Sequence, residues 1–107
     1  MHLTFINCFV LVFSITDPSS LNHIYKMYDD LKKEIDDDCF SCVVAANNCE
    51  LREKWNDKKV IPISEYKNIS KKMKCIVIET SVVNGAGVNE VFYEVVKQYF
   101  EDGQKKF

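Results

Sequence analysis

Glycine is nearly missing from this chain: three in 107 residues, and none before Gly85. A G-x-x-x-x-G-K-[ST] phosphate cradle needs glycines at fixed positions so that the backbone can wrap an anion, and these residues hold no such loop. A charge excess is missing as well. Fourteen basic against sixteen acidic residues give a net charge of −2, which excludes the electrostatic footprint of a nucleic-acid or anionic-membrane binder. No nucleic-acid partner is expected, and Lys58-Lys59, Lys71-Lys72-Lys74 and Lys105-Lys106 read as solvated faces. Histidine is limited to His2 and His23, neither placed for catalysis. The apolar N-terminal stretch, residues 3–15, is too short to span a bilayer. It has no preceding Lys or Arg and no A-x-A-like site after it, so it does not read as a signal peptide.

Cysteine is present but not as a disulfide framework. Cys8, Cys39, Cys42, Cys49 and Cys75 are odd in number, and most have apolar neighbours, as small core side chains do. A reducing compartment, the cytoplasm, is the expectation. The Cys39-Phe40-Ser41-Cys42 spacing suits redox or zinc chemistry, but no second C-x-x-C or H-x-x-x-H completes a ligand set, and no metal site is expected.

At 107 residues the chain is a single small domain, residues 1–107. Phe9-Val10-Leu11-Val12-Phe13 is a continuous β-branched and aromatic run, which predicts a strand buried on both faces. Leu21, Ile24, Tyr28, Leu31 and Ile35 recur every three or four residues and predict a helix that Pro18 starts. Asp36-Asp37-Asp38 would oppose the negative end of its dipole, so the helix should stop before them. Cys42-Val43-Val44-Ala45-Ala46 predicts a second strand, and the aperiodic charged residues 50–59 a surface loop. A weaker helical pattern follows Ser64, Cys75-Ile76-Val77-Ile78 predicts a third strand, and Val88 opens a broadly apolar last helix. This alternation implies right-handed crossovers and an open parallel sheet in three layers. Ligands bind such sheets outside the carboxyl ends of the strands, where Asn47-Asn48-Cys49-Glu50 and Glu79-Thr80-Ser81-Val82 fall. On propensity alone both tetrads also read as turns.

Residues 9–21, Phe9 through Thr16-Asp17-Pro18 to Leu21, resemble the fourth strand and following helix start of Ras- and Rap-like small GTPases. Ile78-Glu79-Thr80-Ser81 and Gly87-Val88-Asn89-Glu90-Val91-Phe92-Tyr93 are similar to that family's last strand, base loop and final helix. The resemblance runs from about Phe9 to Tyr99 and covers only the C-terminal half of the P-loop GTPase fold, about three strands and three helices. Against the family's N-K-x-D loop, Asn47 matches the residue that ties the base loops, Asn48 replaces the lysine beside the base, and Glu50 keeps the guanine-reading charge on a longer stem. Against S-A-K, Ser81 matches, Val82 offers the backbone N–H for the guanine carbonyl, and Val83 replaces a lysine.

The resemblance implies a GTP- or GDP-binding signalling switch. The phosphate loop, the Mg²⁺-binding groups and the water-positioning glutamine would lie upstream of Met1, so hydrolysis by these residues is not expected and base-only binding should be weak. No cysteine follows Cys75, so C-terminal prenylation is not expected. With its first half absent, the fold would leave residues 9–15 as an apolar sheet edge and uncover part of Val91, Val95 and Phe100. That predicts marginal stability and pairing with a second copy or a protein partner. Two readings follow: a small GTPase by descent, represented by its base-binding half, or a half-domain that has become an interaction module. A receiver-like domain is disfavoured because it needs early carboxylates that are missing.

Overall fold

The computed structural model describes residues 7–35, 40–52, 54–55 and 60–106. His2, Asp36-Asp37-Asp38, Cys39 and Lys58-Lys59 lie outside the described residues. Strand β1 (Asn7–Ser14) leads into α1 (Pro18–Glu34), then β2 (Phe40–Asn47). Two short 3-10 turns, Cys49–Leu51 and Ile63–Glu65, precede α2 (Tyr66–Met73), β3 (Ile76–Glu79) and α3 (Val88–Lys106). The strands form one parallel sheet in the order β1-β2-β3, with Phe13 paired to Ala46 and Ala46 to Glu79. The α/β architecture expected from the alternating pattern is the one observed.

Local chemistry sets the boundaries. Asp17 adopts extended backbone and caps α1, its Oδ1 accepting from the Ser19 N–H at 3.0 Å and the Ser19 hydroxyl at 2.6 Å. Pro18 occupies the first turn, where its missing N–H has no helical partner to lose. The helix ends at Glu34, after Lys32 and Lys33 have placed positive charge at its negative end. Lys74 closes α2 in the left-handed region at φ 48°.

Alternation along β2 divides the interior between the two faces of the sheet. Cys42, Val44 and Ala46 face α1 and α2, joining Leu11, Phe13, Ile15, Ile24, Ile69 and Met73 in the larger core. Val43 and Ala45 face α3 and meet Val91, with Ile78 and Val95 packed beside them. Each fully buried side chain such as Phe13, Ile69 or Val44 contributes about 1.5–3 kcal/mol of transfer free energy.

Two expectations need correction. The run at residues 9–13 is not buried on both faces, since Val10 and Val12 are exposed on the α3 side; β1 does stand at an edge of the sheet among the described residues, as the resemblance implied. The partial uncovering of α3 includes Phe100, as expected, but not Val91 and only in part Val95. Val91 is buried and Val95 partly buried against β2, while Phe92, Val96, Tyr99 and Phe100 are exposed, because α3 lies over β1 and β2 with that flank turned outward.

Candidate functional site

At the carboxyl ends of β2 and β3 the backbone ties two loops into one rim. Thr80 N–H donates to the Ala46 carbonyl at 2.8 Å, and the Cys49 N–H returns to the Thr80 carbonyl at 3.0 Å. The Thr80 hydroxyl adds a bond of 3.1 Å to Asn47 Oδ1, so Asn47 acts as a tie between the loops. Asn48 sits in the left-handed region at φ 68°, which its short polar side chain tolerates, and its amide donates to Ser14 Oγ at 2.6 Å. Ser14 in turn is held by Ser20 Oγ through its own N–H and by the Thr16 hydroxyl. The end of β1 thus braces the first loop.

Glu50 rides on the 3-10 turn Cys49–Leu51, and its Oε2 is buried with no hydrogen-bond partner among the described residues. A carboxylate oxygen withdrawn from water in this way carries a desolvation cost until a donor meets it. The Cys49 thiol beside it is pushed above its ordinary value by burial first and then by the carboxylates of Glu79 and Glu50, so it stays protonated.

The second loop is wound on Ser81. Fully buried, Ser81 donates its N–H to the Ala86 carbonyl at 2.9 Å, accepts from Gly85 N–H at 2.7 Å and takes the Asn84 N–H on its hydroxyl. Gly87, at φ +74°, lies so close to the chain that a Cβ there would sit 1.9 Å from the Glu79 carbonyl oxygen. Only glycine fits that approach. Val82 and Val83 are consequently thrust outward, both about three-quarters exposed, and nothing among the described residues accepts from the Val82 N–H. All six residues read from the tetrads, Asn47, Asn48, Glu50, Ser81, Val82 and Val83, therefore lie on this one rim. Their surroundings differ: Ser81 is interior, Asn48 is engaged by Ser14, and Glu50 and Val82 keep unmet polar groups.

Sequence reading missed the strut beneath the rim. Arg52 Nη2 meets Glu79 Oε1 at 3.0 Å and the Tyr66 hydroxyl at 2.9 Å, while Nη1 donates to the Ile61 carbonyl. The Tyr66 hydroxyl donates to the same carboxylate oxygen at 2.7 Å. Burial, and then the Glu79 carboxylate, push that phenol well above its ordinary range, so it remains a donor. The one signal available was the position of Arg52 two residues after Glu50, within a stretch that looked like a solvated loop.

Residues 1–101 match the Ras family model. The chain belongs to the Ras family. It is also 32% identical over 90 residues to a Ras-like protein, rasS, of Dictyostelium discoideum, an overlap of 84% of this chain and 44% of that relative. The chain thus spans less than half the length of that Ras-family relative. Among the described residues no three His, Cys, Asp or Glu side chains gather to hold a metal ion.

Proposed function

We propose that these residues form the guanine-reading wall of a Ras-family nucleotide site, acting on the base and leaving the phosphates to groups outside them. The observation that carries this reading is the Glu50 carboxylate, whose buried Oε2 lacks a donor on the rim. Guanine offers its ring N–H and exocyclic amine side by side, and a carboxylate accepts both in a charge-assisted pair. Adenine presents an acceptor where that ring N–H would be and is repelled. The Val82 N–H is free to donate to the guanine carbonyl oxygen, and the exposed Val83 side chain supplies apolar cover. Asn47 and Asn48 hold the loop that carries Glu50.

GTP or GDP is the ligand class, bound weakly by these residues because the charged half of the molecule stays in water; hydrolysis is not assigned to them. Isothermal titration with GMP and AMP tests the reading. Millimolar binding of GMP, at least tenfold weaker binding of AMP, and loss of the difference in Glu50→Ala are expected. Equal affinities for the two nucleotides, or discrimination that survives Glu50→Ala, would overturn it.

A second reading, an association module, is favoured by the open edge of β1. Ile15 N–H donates to the Asn47 carbonyl, which sets the phase of the ladder and turns the backbone groups of Val10 and Val12 away from β2. The occupant is a second copy. A two-fold axis normal to the sheet brings edge to edge and sets the exposed Phe92, Val96 and Tyr99 of one copy beside those of the other. Sedimentation should show a dimer that Val12→Lys dissociates. A wild-type monomer at high micromolar concentration would remove this reading. No described helix is long and apolar enough to cross a membrane, and a cytoplasmic location belongs to the same proposal. Recovery in salt-washed membranes would contradict that placement.

A further inference from the structure

At the end of the sheet remote from the rim, two free cysteines share one cavity. Register pairs Val43 with Ile76, so Cys42 and Cys75 stand side by side one step earlier along the two strands. Neighbouring strands lie about 4.8 Å apart, within the Cα separation that a disulfide spans. Cys75 precedes the first ladder pair and follows the left-handed Lys74, so the ladder does not fix its backbone. Its N–H reaches Ser70 O at 3.3 Å, and its carbonyl accepts the Ser70 hydroxyl. Both cysteines are buried against the core and line a cavity of about 570 Å³ whose walls include Lys32, Ser70, Lys74 and Gln98.

We propose that Cys42 and Cys75 form a redox-sensitive dithiol that closes into a disulfide between β2 and β3 when an anionic peptide disulfide, glutathione disulfide by class, enters this cavity. The ammonium groups of Lys32 and Lys74 suit the carboxylates of such an oxidant. Interaction between the two thiols holds Cys75 below its ordinary value, while the same interaction and burial push Cys42 up. Cys75, which lies outside the strand ladder and next to Lys74 of the cavity wall, is the first nucleophile. Its thiolate attacks one glutathione sulfur, the S–S bond breaks, and the first glutathione leaves as a thiolate that takes up the proton lost by Cys75. Cys42 then attacks the Cys75 sulfur and expels the second glutathione, which leaves with the Cys42 proton. Two protein thiols are oxidised and one glutathione disulfide is reduced to two thiols. The crosslink joins the strands whose far ends carry Asn47 and Thr80, so oxidation fixes the base of the rim.

The test uses the full chain with Cys8, Cys39 and Cys49 changed to Ser, alongside wild type, each folded and treated with glutathione disulfide. Expected results are loss of two hydrogen masses with no retained glutathione, a mapped Cys42–Cys75 link, and a melting temperature raised by roughly 10 °C and restored by dithiothreitol. Cys42→Ser in the same background should hold glutathione on Cys75. Cystamine, a cationic disulfide, should react several-fold more slowly than glutathione disulfide. If the triple variant fails to fold, peptide mapping of wild type decides. A dithiol that survives an oxidising glutathione buffer, separate adducts on the two cysteines, a Cys39–Cys42 link, or closure only in urea would each overturn the proposal.

Discussion

The two faces of the sheet are finished to different degrees. Beneath α1 and α2, side chains from β1, β2, both helices and the loop at Val60 and Ile61 close into one continuous core. Beneath α3 the closed part shrinks to Val43, Ala45 and Val91, and the helix continues past it with Phe92 63% exposed and Phe100 61% exposed. This apolar flank adjoins the outer side of β1 at Val10 and Val12, and exposed apolar patches of this kind mark interaction surfaces more often than solvent faces. The first face carries the continuous core; the second leaves an apolar flank of α3 exposed.

Substitution should separate the faces sharply. Phe13→Ala is expected to remove about 3–5 kcal/mol, enough to unfold most of the chain, whereas Phe92→Ala should change stability by no more than about 0.5 kcal/mol in urea denaturation. Equal losses would mean that α3 is covered in solution. Next in size is Gly87→Ala, where the new Cβ meets the Glu79 carbonyl, at about 3 kcal/mol. Gly85→Ala shares the positive φ but has open space around it, so about 1 kcal/mol is expected. Arg52→Ala should lose about 1 kcal/mol, because the pair with Glu79 is partly exposed and screened although the Ile61 and Tyr66 contacts go with it. The smallest effect is pH-dependent. Ser19 holds the Asp17 carboxylate below its ordinary value, so the cap stabilises above the usual carboxylate range and fades as pH falls through the lowered folded value. Asp17→Asn should flatten the melting temperature between pH 5 and pH 3.

Much of this was legible in the chain. The runs at residues 9–13 and 42–46 are strands because β-branched and aromatic residues crowd them, and Leu21, Ile24 and Tyr28 face the core as their spacing requires. The tetrads stood out because polar residues end apolar strands. What stayed hidden depends on distance along the chain. Arg52 looked like one charge in a solvated loop, and its contacts to Glu79 and Tyr66 exist only once β3 and α2 fold back beside it. The apolar run of β1 by itself showed only that the strand suits burial; that its edge and part of α3 would lack cover came from the family resemblance, and which side chains on β1 would be exposed, Val10 and Val12, did not show. Cys42 and Cys75 read as separate core residues until strand register set them together.

The most direct test of the account is a site-resolved nuclear magnetic resonance titration of the labelled chain with GMP, AMP and Mg²⁺-GTP. The account predicts that GMP moves the amides of Glu50 and Val82, that AMP leaves them in place, and that Mg²⁺-GTP binds within several-fold of GMP because only the base is held. Equal shifts with AMP, or micromolar magnesium-dependent retention of GTP, would contradict it.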